Sequence, residues 1–430
     1  MPPPPAGGPA GCLRRPDAHD PPPAGGGRLL LLGACVRALA QSALRGRLTH
    51  ARFPGGIIAV DFFGDADLEN DPVRVVALRR DHGLERTIAN LGRAALSLGW
   101  NAVMPAGGLE NRPGLLRLLA RRGRLLGSAP GSIRAVRDPA RLFPWLASED
   151  LPHALTRLAP RVPRDGRAWL LKPRRGAGGG GVRAARPGET VPPGWHLQER
   201  LDGRPGSAAF LADGHDAVLL GVSEQLIGMA PLGSQGYRHA GNLVDTVDLM
   251  QGPATLLDTG GVSLARRVAT RLAARFALRG LAGFDFISVR GRPHLIEVNP
   301  RWTASMELIE AARGASLFDA QLRVGDGADA STVAGAAGMV DTDRTAPGFG
   351  PGPVLGRGVL YAAESVVAPA PDALAAIGAR DRPRSGETIM QGQPVCTLTS
   401  LAGTRDLAIA ALEENAAAAR ALLVAVASGA

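Results

Sequence analysis

Three oxygen-bearing side chains in the second half of the chain offer the most definite chemistry. Asp285 lies in Gly283-Phe-Asp-Phe-Ile-Ser-Val289, and Glu297 and Asn299 lie in His294-Leu-Ile-Glu-Val-Asn-Pro-Arg301. The two segments flank Gly291-Arg-Pro293 and read as antiparallel strands around a tight turn. Residues two apart on a strand share a face, so Glu297 and Asn299 project together and Asp285 can meet them from the neighbouring strand. Two carboxylates and an amide carbonyl are hard donors, suited to Mg²⁺ held together with substrate phosphates. A solvated acidic hairpin edge is the blander account. It fits poorly, because Phe284, Phe286, Ile287, Leu295, Ile296 and Val298 make both strands apolar.

The second candidate is a lysine beside a glycine run. Ala168-Trp-Leu-Leu-Lys172-Pro173 reads as a strand that enters Arg174-Arg-Gly-Ala-Gly-Gly-Gly-Gly-Val182. Gly176, Gly178, Gly179, Gly180 and Gly181 make a flap whose N–H groups can approach phosphates closely. A glycine run alone is more often a linker, and this one lacks the Gly-Lys-Ser/Thr of a P-loop. The lysine strengthens the functional reading. Of the 49 Lys and Arg residues, Lys172 is the only lysine. Arginine replaces lysine freely on a surface, but not where a compact point charge must reach a phosphate.

The elements that must position these groups fall into three regions. Residues 1–27 are a Pro/Gly-rich leader too poor in apolar groups to pack or to serve as a secretory signal. Strands at Arg28–Gly33, Gly56–Asp61 and Asn101–Met104, with helices at Val36–Arg45 and Gly114–Leu119, predict a small parallel α/β domain over 28–130. Residues 131–325 follow, with helices through Trp145, at Leu151–Leu158 and at the amphipathic Val262–Phe276. Residues 326–352 look like a linker or loop. Short strands at Gly358–Ala363 and Pro394–Thr399 and a helix at Arg405–Val426 make a C-terminal α/β extension over 353–430.

Lys172-Pro with the glycine run and Val182, then Gln198-Glu-Arg-Leu-Asp-Gly203, then Gly283-Phe-Asp-Phe-Ile287, then Ile296-Glu-Val-Asn-Pro-Arg301 resemble, in this order, the ATP-grasp superfamily. The resemblance spans roughly residues 28–325. It implies an α+β ATP-grasp fold: a small parallel α/β pre-ATP-grasp domain, two α+β subdomains with ATP between them, and the C-terminal extension. It further implies that Lys172, Gly176, Gly178–Gly181 and Val182 bind phosphates, and that Gln198, Glu199 and Leu201 form the adenine hinge. Asp285, Glu297 and Asn299 would hold Mg²⁺ or Mn²⁺, and Arg301 would neutralise the transferred phosphate beside Lys172.

Two positions depart from the family pattern. The carboxylate expected after the hinge for ribose is replaced by a stretch offering Ser207 or Asp202. The second upstream ATP-site lysine is replaced by arginine, Arg137 or Arg141.

The implied activity is that of a carboxylate–amine ligase: ATP activates an acid as acyl-phosphate, an amine attacks it, and ADP and phosphate leave. The substrates would be small molecules. A carboxylase activating bicarbonate and a non-catalytic ATP sensor on the same fold are the rivals. The C-terminal extension resembles ATP-grasp proteins linked with one-carbon cofactor biosynthesis, with tyramine–glutamate ligases as relatives. Thr303 and Ser305 can line the acceptor pocket. Gly228–Gly241, with Gln235, Tyr237 and Arg238, is a loop over the site or a plain surface loop. Asp61 and Asp65, at a strand end where open α/β sheets bind ligands, can face an amine. His196 and His294 read as structural, and Cys35 as core packing.

Composition narrows the class. A net charge of +10 invites nucleic acid, but only 4% of residues are aromatic and the arginines are dispersed, so no stacking platform forms. No run of apolar residues is long enough to span a membrane. Three widely spaced cysteines, Cys12, Cys35 and Cys396, suit a reducing cytoplasm. A homodimer is left open.

Overall fold

The computed structural model describes residues 27–339 and 352–425, so most of the expected leader and residues 340–351 of the expected linker lie outside the described residues. The first region is a five-stranded parallel sheet of β1 (Leu29–Leu32), β2 (Ile57–Asp61), β3 (Val73–Ala77), β4 (Ala102–Pro105) and β5 (Arg124–Leu125), in the order β3-β2-β1-β4-β5. All four leucines of β1 are fully buried, because a central parallel strand is covered on both faces. The strand β3 carries Arg74 among valines and was absent from the sequence expectation.

The second region contains an antiparallel sheet of β6 (Thr156–Arg157), β7 (Trp169–Pro173), β8 (Arg183–Ala184) and β9 (Trp195–Glu199), ordered β6-β9-β7-β8. The expected helix at Leu151–Leu158 does not form. That segment is extended: the Leu295 N–H donates to the Pro152 carbonyl at 3.0 Å, and the Ala154 N–H donates to the Leu295 carbonyl at 3.0 Å. Those backbone groups are satisfied by a neighbouring strand, and Pro152 and Pro160 bracket a span too short for a stable helix.

Facing it is a second, larger antiparallel sheet. Its strands are β10 (Arg204–Asp213), β11 (Ala217–Ile227), β12 (His239–Asp245), β13 (Arg279–Val289) and β14 (Arg292–Asn299). The last third of the chain supplies β15 (Val354–Tyr361), β16 (Val366–Val367), β17 (Thr388–Ile389), β18 (Pro394–Ala402) and β19 (Val424–Ala425). The seven-stranded order is β14-β13-β10-β11-β12-β15-β18, while β17-β16-β19 form a small separate sheet. The C-terminal strands therefore continue the sheet that bears Asp285 and Glu297. The β12–β15 pairing is close: a Cβ on Gly241, at φ 159°, would lie 2.0 Å from the Arg357 carbonyl oxygen.

Helix Thr259–Phe276 covers one face of this sheet through the apolar stripe Val262, Leu264, Val268, Leu272 and Phe276, all buried. Its N-terminus is capped by Asp258, which accepts from the Gly261 N–H at 2.5 Å. Within the expected linker, Ala330–Ala336 is instead a helix, with Ala330, Val333 and Ala334 buried. Helix Arg405–Ala421 packs on β15 and β18. Among the described residues no helix is long and apolar enough to cross a membrane.

Candidate active site

Between the four-stranded and seven-stranded sheets lies a cavity of about 740 Å³. Lys172, Gly176, Gly178, Gly179, Gly180, Val182, Gln198, Glu199, Leu201, Asp285, Glu297, Asn299 and Arg301 all line it; of the residues expected to hold ATP, the metal ion or the transferred phosphate, Gly181 does not. Gly181 faces Trp195 and Pro173. One end of the cavity is apolar, walled by Val136, Leu142, Phe143, Leu170, Ile287 and Ile296. The other end carries the charges.

The charged end is built by strand register. Asp285 pairs with Glu297 across β13–β14, Gly283 pairs with Asn299, and Ser207 pairs with Asp285 across β10–β13. Cross-strand partners share a face, so Ser207, Asp285 and Glu297 form one row of oxygens. Asn299 donates from Nδ2 to Asp285 Oδ2 at 3.0 Å, which leaves its carbonyl oxygen turned toward Arg301. Gln225 donates to the other Asp285 oxygen at 3.0 Å.

Cations surround these acids. Glu297 is ion-paired with Arg137. Burial alone would raise the Glu297 pKa, but Arg137 and Lys172 hold it down at about 2. Burial and the neighbouring Glu297 push Asp285 the other way, to about 6. Burial lowers the Lys172 pKa, opposed by the pull of Glu297 and Asp285. Its ammonium donates to Gln198 Oε1 at 2.8 Å, and Gln198 in turn donates to Thr156 and to the Ile296 carbonyl. That chain fixes a flexible side chain in one place.

The residues offered as alternatives take different positions. Arg137, not Arg141, reaches the cavity; Arg141 is exposed and lies beside Asp138. Ser207 is buried in the oxygen row, whereas the Asp202 side chain is 92% exposed at the rim. Thr303 and Ser305 line the far wall. Within Gly228–Gly241 the backbone packs on the glycine flap: the His239 N–H donates to the Gly178 carbonyl at 3.0 Å, and a Cβ on Gly179 (φ 75°) would meet the Tyr237 carbonyl oxygen at 1.8 Å. Tyr237 lines the cavity, while Arg238 stacks over Tyr361 at 4.0 Å.

His196 also faces the cavity, with Nδ1 buried and unpartnered; burial and Lys172 lower its pKa to about 3. His294 makes only a local contact to the Arg292 carbonyl. Asp61 and Asp65 do not line this cavity. Cys35 is exposed and not in the core; its protein surroundings, then Asp381 and Asp65, push the thiol pKa up.

Sequence reasoning missed the contribution of the first region. Glu110, buried in the loop after β4, accepts from Arg301 Nε at 2.7 Å. Asn111 donates to the Gly176 carbonyl at 3.0 Å and accepts from Arg137 at 3.2 Å. The signal was present: both follow Gly107-Gly108 at a strand's C-terminal edge, where α/β sheets place ligand contacts.

Comparison of the sequence with curated proteins finds no match. Solved structures with the same fold include the biotin carboxylase domain of Hydrogenobacter thermophilus 2-oxoglutarate carboxylase, in complex with MgADP, ADP and bicarbonate. It is 15% identical with a TM-score of 0.62, over 90% of this chain and 88% of that one. Biotin carboxylase from Campylobacter jejuni is 14% identical with a TM-score of 0.61, over 92% and 91%. L-amino acid ligase from Bacillus licheniformis is 15% identical with a TM-score of 0.61, over 94% and 99%. Residues 140–305 match the family model of the ATP-grasp domain. With two antiparallel sheets enclosing the cavity and a parallel α/β sheet in front of them, the chain has the ATP-grasp fold and carries an ATP-grasp domain.

Proposed function

We propose that the protein is an ATP-dependent ligase that activates a carboxylate as an acyl-phosphate and joins it to an amine, releasing ADP and phosphate. One observation carries the reading: a single cavity joins an apolar pocket fit for an adenine to a row of oxygen donors ringed by Lys172, Arg137 and Arg301. A binding module has no need of that charged end. The donor set fits Mg²⁺, since Asp285, Glu297 and Asn299 supply only hard oxygens. A divalent ion there would favour the ionised form of Asp285, which burial and Glu297 otherwise oppose. Held by Asp285, Glu297 and Asn299, such an ion would supply charge neutralisation for ATP phosphates.

The residues have separable tasks. Lys172, fixed by Gln198, and Arg137 would meet the phosphates. Arg301, braced by Glu110, would neutralise the group in transfer, and the Gly176–Val182 flap would close over it. A carboxylate is a poor electrophile, and a phosphoryl group on it supplies the missing leaving group. Catalysis is then positioning and charge neutralisation. The far wall, with Thr303, Ser305, His239 and Asn242, would receive the acid and the amine. The similarity to an L-amino acid ligase over nearly both whole chains favours an amine acceptor. A cytoplasmic setting belongs to the same proposal.

The deciding measurement is nucleotide release from Mg-ATP across pooled carboxylates and amines, with Glu297→Gln alongside. ADP formed with one acid–amine pair, and lost in the variant, supports the ligase. AMP as product would exclude the acyl-phosphate route, and ADP formed with bicarbonate in place of an organic acid would favour a carboxylase.

A further inference from the structure

A second polar cluster lies where the first region meets the last third of the chain, behind the cavity wall at Ala304, whose carbonyl accepts from Arg357 at 3.1 Å. Its members are Cys35 and Arg37 after β1, Asp61 at the end of β2 and Asp65 after it, Glu307 after β14, Arg357 on β15, and Asp381 between β16 and β17. Most of its charges are matched. Arg37, 1% exposed, binds Glu307 and, at 2.8 Å, Asp381; Arg357 lies 3.5 Å from Glu307 and 3.6 Å from Asp381. Asp61 accepts the N–H groups of Val36, Phe63 and Gly64 at 3.1, 3.0 and 2.7 Å.

Asp65 is the exception. It is 3% exposed, and among the described residues no N–H group, hydroxyl or guanidinium donates to its carboxylate; the Cys35 thiol donates to it at 3.7 Å, and the acids Asp61, Asp381 and Asp67 outnumber Arg37 around it. A buried carboxylate with one long thiol contact, set among like charges, is costly, and a cation is what the position lacks. Cys35 Sγ also lies 3.4 Å from Asp381 Oδ1, and the sulfur and two carboxylate oxygens all fall within 4.8 Å of one another. With metal–sulfur bonds of about 2.3 Å and metal–oxygen bonds of about 2.1 Å, a tetrahedron has a sulfur–oxygen edge of about 3.6 Å. The two observed edges bracket that value.

We propose that Cys35, Asp65 and Asp381 bind a divalent, borderline-soft metal ion of the zinc class. The thiol excludes the hard cations that suit the oxygen row of the cavity. Binding would convert the Cys35 thiol to thiolate, with its proton released to solvent, so that thiolate and Asp65 together balance the ion's two charges. Arg37, donating to the ligating oxygen of Asp381, would orient that ligand. Because Cys35 is exposed, water from solvent would be available as a fourth ligand. Three ligands from segments up to 346 residues apart would make the ion a clasp between the first region and the last.

The test uses the full chain with Cys12→Ser and Cys396→Ala, so that Cys35 is the sole thiol, in excess Mg²⁺ to fill hard-oxygen sites. Titration with Co²⁺ should give a saturable thiolate-to-cobalt charge-transfer band at one equivalent, displaced by Zn²⁺. Asp65→Asn should weaken Co²⁺ binding by about tenfold or more, and Glu297→Gln should leave it unchanged. Absence of the band, or a band indifferent to Asp65→Asn, would overturn the assignment. Should the Asp65 variant not fold, alkylation of Cys35 in the parent decides. Protection by Zn²⁺ supports the site; protection by a primary amine and not by Zn²⁺ overturns it in favour of an ammonium site.

Discussion

The cavity and the Cys35–Asp65–Asp381 cluster are both buried assemblies of acids and arginines, yet they are built in different ways. In the cavity the acids come from adjacent strands within fifteen residues, and strand register brings them together. In the cluster the acids come from three separated segments, and only the docking of the first region onto the last unites them. The cavity holds its charges ready for a ligand; most of the cluster's charges hold one another. A disturbance in the first should therefore alter chemistry at nearly constant stability, and a disturbance in the second should alter stability first.

The largest effect expected is in the cluster. Arg37→Met leaves Glu307 and Asp381 facing each other with half their counter-charge, and breaking a buried pair in this way costs about 3–5 kcal/mol. Chemical denaturation should show it as a lowered midpoint; an unchanged midpoint would erase the contrast between the two regions. Glu297→Gln should act mainly on chemistry, lowering turnover by about 10²–10³-fold, a range typical for loss of one transition-state contact, while the unfolding midpoint falls by less than for Arg37→Met although Arg137 loses its carboxylate partner. Lys172→Arg keeps the charge but not its compact shape, and kcat should fall by about 10–100-fold. Asn111→Ala frees the glycine flap from the first region and should raise the KM for ATP by about tenfold, the equivalent of one lost hydrogen bond to a charged or buried group.

The smallest effect near neutral pH is a pH dependence. His196 is held neutral in the folded chain, its pKa lowered to about 3 by burial and Lys172, against an ordinary value of 6.5. The unfolded chain thus binds one more proton between these values. Stability from this residue is complete above pH 6.5 and declines as the pH falls toward 3, by at most about 1.4 kcal/mol per pH unit. His196→Gln should flatten that slope in denaturation curves between pH 6.5 and 4.

Much of the cavity was legible because its information is local. Glu297 and Asn299 announce a shared face by their spacing, and Lys172 by being the one lysine. The choice between Arg137 and Arg141 was not legible, since both sit near one helix start and only the packing of that helix turns Arg137 inward. Strands β10 to β12 were missed because they are buried on both faces and so lack the alternation that marks a half-exposed strand. The segment at Leu151–Leu158 imitates a helix in its apolar spacing, but its backbone partners come from Leu295. The cluster was beyond reach for the same reason: Asp65 and Asp381 are 316 residues apart, and nothing in either neighbourhood points to the other.

The solitary lysine has a practical corollary. Apart from the chain's α-amine, every reagent that seeks primary amines, whether an acylating probe, a reductive label or an acetyl donor, has a single address in this molecule, at the heart of the cavity. Burial lowers the pKa of that amine and so enlarges its reactive neutral fraction. One modification would then act as gauge and stopper at once: its rate would report how often the cavity stands empty, and its completion would keep the cavity from being used again.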